Sequence, residues 1–191
     1  MRTGEDSKKT IDGEINVKIN LDGKGIVNIN TGIKFFDHLM TTLGTHSLID
    51  FIISIEGDLK THLVEDVAIC LGQAIRNAIG KGEGINGYGY AIVPMDCSLA
   101  FTAIDLVRRP YHKIDLKISG ETIEDMMQED IIHFLETLAS SLQVNMHIWV
   151  QYGNNDHHKV EAAFKSLALS LKEAVTINPK RGNIPSAKGT M

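Results

Sequence analysis

One motif occurs twice in this chain at a constant spacing, and that repetition restricts the fold. The run Gly153-Asn154-Asn155-Asp156-His157-His158-Lys159-Val160-Glu161 echoes Gly57-Asp58-Leu59-Lys60-Thr61-His62-Leu63-Val64-Glu65. Gly57 and Gly153, His62 and His158, and Glu65 and Glu161 are each 96 residues apart. The same order of patterns surrounds both copies. In the first half, residues 15–20 (INVKIN) alternate and Asp22-Gly23 signals a turn. A short run at 26–29 follows, so these two runs predict a hairpin. Residues 33–45 show helical spacing, LIDFIISIEG reads as a strand, and 62–79 reads as a helix stopped by Gly80 and Gly82. In the second half, 90–95 and 99–107 are strand-like and 111–118 alternate. Residues 125–142 predict an amphipathic helix, MHIWVQYG a strand, and 157–175 the matching long helix. His38 and His133 fall at corresponding places in the two earlier helices. The prediction is a duplicated α+β fold. It has two tandem repeats of a sheet-plus-helices unit, residues 1–89 and 90–191, with helices on one face of each sheet and a pseudo-twofold relation between halves.

Composition narrows the function classes. At 191 residues and 43% apolar, the chain has enough material for one sizeable core. It has no run of about 18 apolar residues, so no membrane span is expected. A net charge of −5 argues against a general nucleic-acid or membrane surface. The polar start MRTGEDSKKTIDGE lacks the apolar centre of a secretory signal, and Cys70 and Cys97 lack metal-knuckle spacing. A cytoplasmic protein with reduced thiols is expected. The tail from Asn178, with Pro179 and Pro185, reads as an extended loop rich in anion-binding groups: Lys180, Arg181, Ser186 and Lys188.

The repeated motif points to metal chemistry. On a helix, residues i and i+4 share a face, so His157 and Glu161 can clamp one ion. His158 sits about 100° further round the helix and should serve another. Pairing the repeats gives one candidate site of His157, Glu161, His62 and His38. A second would be Glu65, His158 and His133 with position 61, where Thr61 is a poor ligand. Imidazole plus carboxylate suits zinc, iron, manganese or nickel. His46, His112 and His147 read only as surface or packing residues.

At these residues the chain resembles the imidazoleglycerol-phosphate dehydratase family. The resemblance runs through TGIKFFDHLMTTLGTH, the VED-containing helix, PMDCSLAFTAIDLVRRPY, HFLETLA, NDHHKVEAAFKSLALSL and the ending IPSAKG. It implies a ribosomal protein S5 domain 2-like repeat, and dehydration of D-erythro-imidazole glycerol phosphate to imidazole acetol phosphate in histidine biosynthesis. It also implies two manganese ions per active site, acting as Lewis acids and as a template on the substrate's ring nitrogens. The implied assembly is a 24-subunit shell of trimers, with active sites at subunit interfaces. Carried over by position, His38, His62, His157 and Glu161 match one manganese site, and Glu65, His133 and His158 the other. Glu161 and Glu65 are candidate catalytic carboxylates, with Asp12 and Glu14. Arg109 in RRP, Ser186 and Lys188 in the terminal PSAKG, and Lys165 match the phosphate-binding groups.

Four departures stand against that pattern. The family's GDLxIDxHHTVED is GDLKTHLVED here, three residues shorter and without the first histidine. Asp12 or Glu14 stands in for an N-terminal glutamate, and Thr42 replaces a glutamine. Thr122 falls where a second phosphate-binding arginine is expected, with Lys117 or Arg108 as possible substitutes. Two readings follow: a working dehydratase with one strong and one weakened metal site, or a relative that keeps fold and metal but has lost or changed the reaction. A metal-dependent hydrolase would need a separate nucleophile–base pair that the sequence does not offer.

Overall fold

The computed structural model describes residues 1–57 and 62–188. The first repeat runs β1 (Thr3–Lys9), β2 (Gly13–Asn20), β3 (Val27–Asn28), α1 (Lys34–Ser47), β4 (Asp50–Gly57) and α2 (Leu63–Ile79). The second runs β5 (Tyr88–Met95), β6 (Ser98–Asp105), β7 (Tyr111–Asp115), β8 (Thr122–Ile123), β9 (Met126–Met127), α3 (Gln128–Leu142), β10 (Asn145–Tyr152) and α4 (Asp156–Val175). The sheets have matching order, β1-β2-β4-β3 and β5-β6-β10-β7. In each, the third strand pairs antiparallel with the second and parallel with the fourth.

The expected hairpin of 15–20 with 26–29 does not form. β4 enters between β2 and β3, so β3 lies parallel to β4. The cause is local. Asp50 accepts backbone N–H groups from Lys24 (2.8 Å) and Ile26 (2.9 Å), plus the Asn20 amide (3.2 Å), and this opens the connection around its carboxylate. Alternation then places Phe51 and Ile53 inward, fully or nearly buried. Strand β1 has no apolar residue, and its side chains alternate between exposed and half-buried. It is held by its seven-residue ladder to β2. Helix α3 starts at Gln128 rather than 125, because 122–127 folds as the small β8–β9 hairpin.

Two glycines show how closely helix and sheet approach. A Cβ on Gly4 of β1 would lie 2.0 Å from the Ala74 carbonyl of α2, and one on Gly89 of β5 would lie 1.8 Å from that of Ser170 on α4. Ala74 and Ser170 are again 96 residues apart, so the contact is part of the duplication. Helix α2 lies on β1 and β2, and α4 lies on β5 and β6. The helices then pair across the repeats, α1 with α4 and α2 with α3. Where these pairs meet, Phe134 packs edge-to-face on Phe36 and stacks on Phe164, with centroids 5.2 and 5.9 Å apart. Buried apolar residues from both halves form one cluster.

Candidate metal centre and phosphate cradle

The crossed pairing of α1 with α4 brings His38 to the start of the second copy of the motif. There the His38 Nε2 and His157 Nε2 atoms lie 3.4 and 3.3 Å from the same oxygen, Glu161 Oε2. The helical i,i+4 relation supplies the second contact, and helix packing supplies the first. One ligand atom from each of the three residues falls within 4.8 Å of the others. Two imidazoles and a carboxylate at that spacing fit a divalent transition-metal ion. Burial alone would raise the Glu161 carboxyl, but the Lys165 ammonium, 2.7 Å from Oε1, outweighs it with help from His38. Its pKa therefore falls below the ordinary value, which keeps the carboxylate ionised. The cluster opens into a cavity of about 600 Å³ that Phe35, Glu124 and Asp125 also line.

The start of α4 is braced from several sides. Asn155 Oδ1 accepts the His158 backbone N–H at 3.1 Å, a side-chain N-cap. Asp156 accepts N–H groups from Ser119 (3.0 Å) and Gly120 (2.9 Å), and Lys159 donates to Asp156 and to the Lys117 carbonyl.

The other pairing, α2 with α3, gathers a second group. His133 Nε2 is 3.5 Å from Glu65 Oε1, and His62 Nδ1 is 3.8 Å from Glu65 Oε2. Within one chain, His62 thus stands beside Glu65 rather than with His38 and His157. His158, turned away from His157 round the helix, meets the β5–β6 turn instead. Its Nε2 is 3.3 Å from Asp96 Oδ2 and its Nδ1 is 3.5 Å from Cys97 Sγ. That contact and the Asn154 N–H lower the Cys97 thiol to about 6, whereas burial pushes Cys70 up to about 12. Thr61 lies outside the described residues. His112 pairs with Glu136 at 3.6 Å and His147 stacks on Tyr111, apart from both groups.

Three of the four expected phosphate groups come together. Arg109, Ser186 and Lys188 line one cavity of about 420 Å³ with Tyr88, Asp105 and Arg108. The tail reaches it by folding back along residues 84–87. Gly84 N–H bonds the Asn183 carbonyl and Asn178 N–H bonds the Gly84 carbonyl. Gly87 (φ 84°) leaves room for Pro185, whose Cγ would lie 2.7 Å from an added Cβ. Burial raises the Asp105 carboxyl, against the pull of Arg109 and Tyr88. Lys165 is absent from this lining, being held by Glu161 and by Met95 Sδ at 3.2 Å. Of the two substitutes for the missing arginine, Arg108 lines the cavity while donating to the Gly80 carbonyl. Lys117 donates to the Gln151 carbonyl. Asp12 lies in the β1–β2 turn and Glu14 at the start of β2, where it pairs with Lys9 at 3.4 Å and stands opposite Glu56. That turn adjoins the end of β4, where Gly57 packs on the Asp12 backbone.

Sequence reasoning passed over Glu124, Asp125 and Asp96, and read Cys97 only as a reduced thiol. Glu124 Oε1 lies 3.1 Å from His157 Nδ1, and Asp125 caps α1 by accepting N–H groups from Lys34 (2.8 Å) and Phe35 (2.9 Å). Short acidic turns give no distinctive sequence signal.

Among known proteins, the family profile described as Imidazoleglycerol-phosphate dehydratase matches residues 31–171. The imidazoleglycerol-phosphate dehydratase of Methanothermobacter thermautotrophicus is 41% identical, over all of this chain and 98% of its own length. That of Dehalococcoides mccartyi strain CBDB1 is 43% identical, over all of this chain and 97% of its own. The crystal structure of the Staphylococcus aureus dehydratase superposes with a TM-score of 0.84 at 28% identity, covering 92% of this chain and 99% of that one. With the profile spanning most of the chain and the relatives aligned along all of it, the chain belongs to the imidazoleglycerol-phosphate dehydratase family.

Proposed function

We propose that the chain is a hydro-lyase that dehydrates D-erythro-imidazole glycerol phosphate to imidazole acetol phosphate, a step of histidine biosynthesis, with manganese as its metal. The observation that carries this reading is the convergence of His38, His157 and Glu161 at the mouth of α4. These residues would hold one ion, and Glu65 with His133 would begin the second site. Manganese, when bound, supplies Lewis acidity and a template for the substrate's imidazole ring. The chain's own groups bind and orient the rest. Arg109, Ser186 and Lys188 would hold the phosphate through charge-assisted hydrogen bonds, which are the strong ones. Lys165 keeps Glu161 charged and fixed, and reaches phosphate only if a second copy brings it there. Asp12 and Glu14 are the candidates for proton transfer, and the two repeats, 1–89 and 90–191, are the structural units.

His62 and His158 are the two ligands that one chain leaves apart from their expected partners. Exchange of these residues between copies would complete both sets. That supports a homo-oligomer with interfacial sites, by family likeness a 24-mer of trimers. Exposed apolar residues on the outer face of the second sheet, among them Tyr90, Ile92 and Trp149, suit such contacts. No helix among the described residues is long and apolar enough to cross a membrane, in keeping with a cytoplasmic enzyme. No observation favours the reading in which the reaction has been lost.

The test is turnover of imidazole glycerol phosphate by purified protein with and without Mn²⁺, alongside metal stoichiometry. Manganese-dependent formation of imidazole acetol phosphate is expected, and Thr61→His should raise metal content. A metal-loaded, assembled protein with no turnover overturns the proposal.

A further inference from the structure

Glu124 stands where a glycine would be easier. It is the first of two residues between the paired ends of β8 and β9, Ile123 and Met126, and its φ is 53°. Tight hairpin turns of this kind favour glycine at a positive-φ position, because a Cβ there crowds the backbone. The turn is also fixed in place. Its second residue, Asp125, caps α1 through the Lys34 and Phe35 N–H groups, one helical turn before His38. The hydrogen bonds of the described backbone give no reason for a glutamate here. Its side chain does: Oε1 lies 3.1 Å from His157 Nδ1, while His157 Nε2 faces Glu161 Oε2 at 3.3 Å. The Phe35 ring, 5.0 Å from the His157 ring, flanks the same imidazole.

We infer that Glu124 is a positioning residue for His157: it accepts a hydrogen bond from the Nδ1–H, which fixes the tautomer that leaves Nε2 free and aims Nε2 at the ion shared with His38 and Glu161. A histidine ligand commonly donates its other ring N–H to a carboxylate, which sets ring orientation and raises ligand basicity. Here the carboxylate comes from a hairpin that is itself anchored to the helix carrying another ligand. One small element therefore sets the geometry of both His38 and His157. This inference rests on the proposed metal site, and deepens it.

Mn²⁺ titration of the metal-free full chain, followed by the paramagnetic resonance of the free ion, tests it against thermal melting of the same samples. His157→Ala identifies the binding class that belongs to this cluster. Glu124→Gly should weaken that class by about 10- to 100-fold, with Glu124→Gln losing less because an acceptor oxygen remains. The metal-free Glu124→Gly protein should melt no lower than the parent, since glycine relieves the positive φ. A merely structural glutamate would lower the melting temperature and leave affinity alone. If His157→Ala weakens Mn²⁺ and both Glu124 variants bind like the parent, the inference is overturned and the metal site stands. If His157→Ala itself binds like the parent, the site assignment and the inference fall together.

Discussion

The mouths of α2 and α4 descend from the same motif, yet among the described residues the ties at α4 are many and those at α2 few. At α4, Asn155 caps the helix, Asp156 and Lys159 tie it to residues 117–120, and the Glu161 side chain is only 10% exposed. At α2, His62 occupies the N-cap without a side-chain cap bond, and Glu65 is 39% exposed. Among the described residues, the tie near that mouth is the ion pair of Lys8 with buried Asp66, which faces β1. Duplication has thus kept the strand order and helix pairing while the surroundings of the two ligand groups diverged. A buried carboxylate held by an ammonium is ordered before any ion arrives. An exposed one must be ordered when its ion or a second copy arrives.

The largest expected difference is in metal binding. His157→Ala should lower Mn²⁺ affinity by about 100-fold, given the usual 1.4 kcal/mol per tenfold change and a lost inner ligand. His133→Ala should cost less, because its cluster is looser. Calorimetric titration of both variants checks the order, and equal losses would remove the contrast between the mouths. Next comes a test of what the repeats still share. Gly4→Ala and Gly89→Ala should each destabilise by about 1–3 kcal/mol through overpacking against a helix carbonyl. Denaturant midpoints that differ strongly would show that one repeat tolerates the shift. Asn155→Ala should cost about 1 kcal/mol, as loss of a helix cap does, and His62→Ala much less, by the same measurement.

The smallest effect separates the starts of β4 and β10, where Asp50 and Asn145 occupy equivalent positions. Burial works against the Asp50 charge, but the Ile26 and Lys24 N–H groups prevail and its pKa is lowered. Its contribution is therefore present above the unfolded carboxylate pKa of about 4 and is lost as pH falls through the lower folded value. Asp50→Asn should flatten that part of the acid limb in urea melts taken between neutral and strongly acid pH. Asn145, uncharged, has no counterpart to lose.

Much of this was legible in the sequence because it is periodic. The four long helices and the central strands carry their own hydrophobic pattern. The duplication grouped His38 and His62 with His157 and Glu161, and His133 and His158 with Glu65; within one chain His62 and His158 stand apart from those sets. What escaped had no local signal. TGEDSKK in β1 has no apolar residue, and is a strand only because β2 offers a ladder and α2 leaves a glycine-wide gap. The hairpin misreading at 15–29 followed from treating Asp22-Gly23 as a tight turn, when Asp50 from a distant strand shapes that loop. Lys165 looks like a phosphate ligand by position, whereas its i,i+4 relation to Glu161 on α4 gives it a closer partner. The separation of His62 and His158 from the other ligands depends on crossed helix packing, which no window of sequence reports.

That crossing also has a temporal meaning. His38 and Glu161 are separated by more than half the chain, and they meet only when α4 docks on α1. Contacts so distant in sequence close late, after the loop-closure entropy has been met. During synthesis the first repeat can emerge with its sheet paired and still be blind to metal. The nascent chain can assemble this ligand set only at nearly its full length, so on the proposed function metal capture marks the end of folding rather than its nucleus.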